Sequence, residues 1–176
     1  MHHPGMALAT GLTPTELRTH LQDSTDPGMR RRRAIVITSL FGMANMGIVS
    51  LLQTGIVKHL PDPPLAAFDS DKVNSSKTAY ALGTPDGTLS FAGFAMNLPL
   101  AGFGGVSRAE RTPYVPIAAV VKAGIEAAAA AWYFYQMPSK EKKWCAYCIG
   151  GAIASVTVFA LTLPEAAKAF RRILIK

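Results

Sequence analysis

Two cysteines stand three residues apart in Trp144-Cys145-Ala146-Tyr147-Cys148, and the 176-residue chain has no others. A Cys-x-x-Cys that opens a helix holds its first sulfur near backbone N–H groups without intrahelical partners and near the positive end of the helix dipole, which favours the thiolate. Lys142 and Lys143, immediately before it, add positive charge. Cys145 and Cys148 are therefore a candidate redox pair, against the plainer reading of two inert buried cysteines. Zinc would need two further ligands. Of the four histidines, His2, His3, His20 and His59, only His59 is expected on the same side of the molecule. Covalent haem would need histidine after the second cysteine, where Ile149 stands. No histidine falls in any predicted span, so an axial imidazole has no source there. Neither metal nor haem is expected.

Lys122 and Glu126 form a second constellation, four residues apart in an apolar stretch and so on one face of a helix at about mid-membrane depth. A pair that neutralises itself while facing the bundle or a neighbouring subunit is the plainer reading, and a proton path is the sharper one.

What must position these residues follows from where the charges sit. The chain is 49% hydrophobic and 16% charged, and the charges gather in short segments separated by apolar runs long enough to cross about 30 Å of hydrocarbon. The expected fold is an all-α membrane protein, a bundle of four transmembrane helices with a short N-terminal amphipathic helix. Its divisions are a cytoplasmic tail over 1–33, a four-helix domain over 34–165 and a basic tail over 166–176. The net charge of +7 raises nucleic acid as a partner, but the main basic cluster, 30–33, abuts an apolar run, where it more naturally fixes orientation. No nucleic acid is expected.

In the tail, Thr13-Pro14-Thr15-Glu16 has the form of a capping box and predicts a helix over about 14–22 with Leu17 and Leu21 on one face. Asp26-Pro27-Gly28 breaks the chain. The first span, 34–57, begins too late and runs too long for a cleaved signal, and its Gly42, Ala44, Gly47 and Ser50 permit close helix approach. Residues 58–87 form the longest polar connection, with a short helix predicted to end at Leu82. The second span, 88–106, contains Pro99 and should kink there. The third covers 114–137, and the fourth, 144–163, is expected to stop at Pro164. A tail so rich in Pro, Gly and Thr frays unless pinned, and another membrane-protein subunit is the expected clamp.

Eleven of the eighteen Lys/Arg lie in the N-terminal tail, the 107–112 loop and the C-terminal tail, and six in the 58–87 and 137–143 loops. The positive-inside rule then predicts a multi-pass membrane protein with both termini cytoplasmic, and the long loop and the cysteines outside.

The cysteines at the outer start of the last span, the loop from Asp69-Ser70-Asp71-Lys72-Val73-Asn74-Ser75-Ser76 to Gly83-Thr84-Pro85, and the four spans together resemble the vitamin K epoxide reductase family over about 34–165. The likeness is strongest to a bacterial branch with Gln53-Thr54-Gly55-Ile56-Val57-Lys58-His59-Leu60-Pro61 ahead of that loop. The resemblance implies that the helix-borne pair exchanges electrons with a quinone held among the helices, Cys148 facing the quinone and Cys145 exchanging with a shuttle pair in the loop that serves a thioredoxin-like partner. The chain departs from the pattern at two places. Ser70 occupies the shuttle-cysteine position, and Ala152 replaces a tyrosine that vertebrate members place near the quinone.

Two readings follow. In one the chain is a quinone-linked thiol/disulfide oxidoreductase with an incomplete relay, served by a thiol-bearing partner docking at the 58–87 loop. In the other it is a catalytically degenerate accessory subunit that keeps the fold within a larger membrane complex.

Overall fold

The computed structural model describes residues 11–175; His2, His3, the start of the tail and Lys176 lie outside the described residues. Helix α1 spans Pro14–Asp23. The long helices are α2 (Pro27–Gln53), α4 (Asp86–Gly102), α6 (Tyr114–Gln136) and α7 (Ala146–Leu174). Short α3 (Ser70–Asn74) and α5 (Arg108–Arg111) lie in the two connections, and α6 ends in a widened turn, Met137–Glu141. The described residues contain no strand, only one isolated bridge between Phe68 and Trp144.

Three helical stretches are long and apolar enough to cross a membrane: Pro27–Gln53, Tyr114–Glu141 and Ala146–Leu174. Helix α4 has 17 residues, about 25 Å at 1.5 Å per residue. It lies antiparallel to α2: Gln53, at the end of α2, donates to Asp86 at 2.7 Å and accepts from the Gly87 amide, while Arg32, near the start of α2, meets the other end of α4. The outward faces are apolar. Ile37 and Phe41 of α2, Ile125 and Trp132 of α6, and Ile153 of α7 are all exposed, as a lipid-facing surface requires.

Between helices the contact is close. A Cβ at Gly42 would sit 2.5 Å from the buried Phe94 ring, so the absence of a side chain there lets α4 press its phenylalanine onto α2. Met46, Val49, Leu60, Phe94 and Ala154 form one core cluster, and Ile35, Ala101, Ala123 and Val158 a second.

Helix α2 ends at Gln53 rather than 57 and α4 covers Asp86–Gly102 rather than 88–106, and two boundaries differ more widely from the sequence reading. Helix α2 starts at Pro27 rather than Ala34, because Asp26 accepts from the amides of Gly28 and Met29 at 2.7 and 3.2 Å; the chain-breaking triplet is also an N-cap followed by proline at the first helical position. Helix α7 runs through Pro164 to Leu174. Past the proline, Ala166 and Ala169 stay buried and Glu165 pairs with Arg108; this packing outweighs one lost backbone hydrogen bond. The basic C-terminal tail is thus the last turns of α7. Helix α4 likewise continues through Pro99 to Gly102.

Arginines close the end of the bundle opposite the cysteines. Arg32, 2% exposed, donates to the carbonyls of Ala101, Phe103, Gly104 and Gly105 at 2.7–3.1 Å. Arg33 caps α1 through the carbonyls of Leu21 and Gln22. Arg108 holds Glu165 through two bonds of 2.7 and 2.6 Å and also reaches the Leu100 and Phe103 carbonyls. These carbonyls end helices or follow them and have few amide partners of their own, and a guanidinium supplies five donors in one plane. The chain itself therefore provides contacts that hold α1, where a partner subunit was the expected clamp. The 30–33 cluster spends two of its members inside the molecule.

Candidate functional site

Cys145 is the N-cap of α7, as its position before an apolar run predicts, and its sulfur accepts from the Cys148 amide at 3.1 Å. The two cysteines are joined as a disulfide, with Cα atoms 5.2 Å apart. Their surroundings differ. Cys145 is fully buried, packed with Val73 and Met137. Cys148 is partly exposed and forms part of a cavity wall.

The lid over the pair is the long loop. Trp144 bridges to Phe68: its amide donates to the Ala67 carbonyl and its carbonyl accepts from the Asp69 amide, both at 2.9 Å. Lys143 donates to the Ala66 carbonyl and the Tyr147 hydroxyl to the Pro61 carbonyl. Asp71 binds the Leu60 amide and His59. These ties seat α3 directly on the disulfide. Asn74, 2% exposed, donates through Nδ2 to the Ser70 carbonyl at 2.7 Å and to the Cys145 sulfur at 3.2 Å, while its Oδ1 lies 3.4 Å from the Cys148 sulfur. One carboxamide thus faces both sulfurs, with a donor for Cys145 and an acceptor for a Cys148 thiol. The sequence reading quoted Asn74 only as part of a loop motif. Its helical position four residues after Ser70 was the available signal, since an amide there can turn back toward the helix and whatever lies beneath it.

Ser70 is fully buried, and both its amide and its hydroxyl donate to Asp62, each at 2.6 Å. The hydroxyl is a satisfied structural group in the first turn of α3, held by a carboxylate.

The cavity is a cleft of about 220 Å³, open on one side and lined by α2, α4, α6, α7 and the loop. Met46, Phe94, Ala130 and Phe134 give it apolar walls, and Asn74, Asp86, Glu126, Tyr133, Gln136 and Cys148 contribute the polar ones. Ala152 also lines it, so the small side chain at that position leaves volume where the vertebrate pattern has a ring.

Lys122 and Glu126 come together as the spacing requires, at 2.8 Å. Sequence spacing did not show what else they meet. The Lys122 ammonium also donates to Asn97 Oδ1 at 2.6 Å and to the Gly93 carbonyl, and Asn97 donates to the buried Ser39 at 3.0 Å. The pair therefore faces the bundle and ties α6 to α4 and α2. All three ammonium protons have acceptors. His59 sits in the lid on Asp71 and His20 lies against Gly105 near the opposite end, and no group of three or more His, Cys, Asp or Glu side chains placed to hold a metal occurs among the described residues.

A model of the vitamin K epoxide reductase family matches residues 33–163. No curated protein matches the chain.

Proposed function

The chain belongs to the vitamin K epoxide reductase family, and from that premise we propose that it is a quinone-linked thiol/disulfide oxidoreductase acting through Cys145 and Cys148 without a cysteine relay of its own. The family uses quinone substrates, and a quinone ring fits the chemistry of the cavity: flat apolar walls, a few polar groups and a sulfur at one edge. The single observation that carries the reading is that Cys148 lines this cavity while its disulfide partner Cys145 does not and is buried beneath Asn74. In the oxidising direction two thiols lose two electrons and two protons, one S–S bond forms, and the quinone becomes a hydroquinone; the reverse consumes a hydroquinone and the disulfide.

Asn74 is assigned the positioning role. Its Nδ2 stabilises a Cys145 thiolate as it leaves or attacks, because a hydrogen bond to a charged sulfur is stronger than one to a neutral thiol. Since Ser70 has no redox chemistry, electrons must enter from a thiol on another molecule. With Cys145 buried, α3 has to lift before that sulfur can be reached. A thiol-bearing partner docking at the 58–87 loop is the proposed exchange partner.

We further read α4 as a fourth span. It runs antiparallel to α2 from the cysteine end to the arginine end, and 17 residues suffice for a thin or locally compressed bilayer. With α1 and the end of α7 on the side of the arginines, the placement we propose is a bacterial inner membrane with cytoplasmic termini and an outward-facing disulfide.

The accessory-subunit reading draws on one specific feature, the fully satisfied Ser70–Asp62 arrangement, which closes the loop where a shuttle would work. Chemistry separates the two. Purified protein reduced with a small dithiol should re-form the Cys145–Cys148 disulfide when an oxidised quinone is added, and Cys148→Ser should abolish this. A dithiol that stays reduced, in a chain whose double serine variant still assembles normally, would make the protein a scaffold.

A further inference from the structure

In the cavity beside Cys148, charged groups that only accept hydrogen bonds have no charged donor among them. Three carboxylates line it, Asp86, Glu126 and Glu141, and no lysine or arginine does, while the hydroxyls of Ser76, Ser90, Tyr133 and Ser155 can donate or accept and so serve either form of a ring. Each carboxylate already has one donor: Gln53 on Asp86 at 2.7 Å, the Thr78 hydroxyl on Glu141 at 3.3 Å, and Lys122 on one oxygen of Glu126. The second oxygen of Glu126 receives no donor in this network. Gln136, 5% exposed, also lines the cavity, and its Oε1 is buried with no hydrogen-bond partner. A buried acceptor left unpaired is destabilising, and such groups mark places where a ligand completes the set.

A quinone presents two carbonyl oxygens, which only accept. A hydroquinone of the same ring presents two hydroxyls, which donate. Carboxylate and carboxamide oxygens repel the first and bind the second. We propose that this cavity is selective for the reduced ring, holding a hydroquinone more tightly than the corresponding quinone, with Gln136 Oε1 and Glu126 as the acceptors for its hydroxyls. The inference rests on the reading of the cavity as the quinone site and adds a direction to it. Preferential binding of hydroquinone draws the balanced exchange, dithiol plus quinone to disulfide plus hydroquinone, toward the disulfide. A tenfold preference raises the potential of the bound two-electron couple by about 30 mV. The shift favours thiol oxidation over disulfide reduction at this site.

The test uses the full chain with both cysteines changed to serine, so that no electrons move, in detergent under anaerobic conditions. A decyl-substituted benzoquinone and its hydroquinone are titrated separately by calorimetry. The expected result is at least tenfold tighter binding of the hydroquinone. Gln136→Leu in the same background should bring that ratio down at least threefold, while the melting temperature without ligand holds or rises because an unpaired buried acceptor has been removed. Equal binding of both forms, or tighter binding of the quinone, overturns the inference and leaves the family reading intact. A ratio unchanged by Gln136→Leu overturns the assignment of that residue. If neither form binds and reduced wild-type protein is not reoxidised by the quinone, the inference and the underlying reading fall together.

Discussion

Asn74 is the residue whose chemistry can be measured most directly, because one amide group serves the Ser70 carbonyl and the Cys145 sulfur at once. Asn74→Leu keeps the cover over the disulfide and removes the donor. Hydrogen bonds to charged groups contribute about 1.5–3 kcal/mol, so in a reduced Cys148→Ser background the Cys145 thiolate, followed by its ultraviolet absorbance, should form at a higher pH once the amide is gone. An unchanged titration would mean that the amide serves only the loop. The Lys122–Glu126 pair offers a second measurement. With the ammonium satisfied by Glu126, Asn97 and Gly93, either single change, Lys122→Met or Glu126→Met, strands a charge within the bundle. Breaking such a pair costs about 3–5 kcal/mol, whereas replacing both partners by apolar residues is often near neutral. The double variant should therefore melt well above either single one. Equal losses in all three would place both groups in water or among lipid headgroups.

Among the elements, α2 and α4 depend on Gly42. A methyl group there would overlap the Phe94 ring, and overpacking of this kind costs about 1–3 kcal/mol, so Gly42→Ala should lower the melting temperature and Gly42→Ala with Phe94→Leu should recover part of the loss. Helix α1 carries a pH dependence of its own. The Thr13 amide and hydroxyl hold the Glu16 carboxyl below the usual carboxylate range. Because the folded value is the lower one, this contribution is complete above the ordinary carboxylate range and is lost as pH falls through the folded value. The protection factors of the α1 amides, their exchange rates relative to an unfolded chain at the same pH, should fall on acidification, and Thr13→Val should flatten that response. This capping box was legible in full, since its signal is entirely local: Thr13, Pro14 and Glu16 suffice to write it. The end of α7 was not. Pro164 is a breaker by local rules, and what overrides it, the Arg108–Glu165 pair and the buried Ala166 and Ala169, comes from an element 57 residues away in sequence.

At the scale of the molecule, the same division holds. The apolar stretches, the cysteines at a helix start and the Lys122–Glu126 spacing could be read along the chain, because helical period and composition carry them. The lid could not. It depends on Asp62 finding Ser70, Trp144 finding Ala67 and Asp69, and Asn74 finding two sulfurs, pairings between loop segments that no period encodes. Those pairings also bear on topology, since they gather 58–87 and the start of α7 at one end, while Arg33, Arg108 and Glu165 gather α1, the 103–113 connection and the end of α7 at the other. If α4 crosses the bilayer with the other three helices, the two ends face opposite compartments. In a variant with both native cysteines changed to serine, a single cysteine at Lys72, which is exposed on the lid, should react with an impermeant maleimide added outside intact cells. A single cysteine at the exposed Glu110 should react only after the membrane is opened. Labelling of both positions from one side would overturn the four-span reading as a whole, because α2, α6 and α7 also run from the arginine end to the cysteine end, and a bundle that crosses the bilayer cannot show both ends to one compartment.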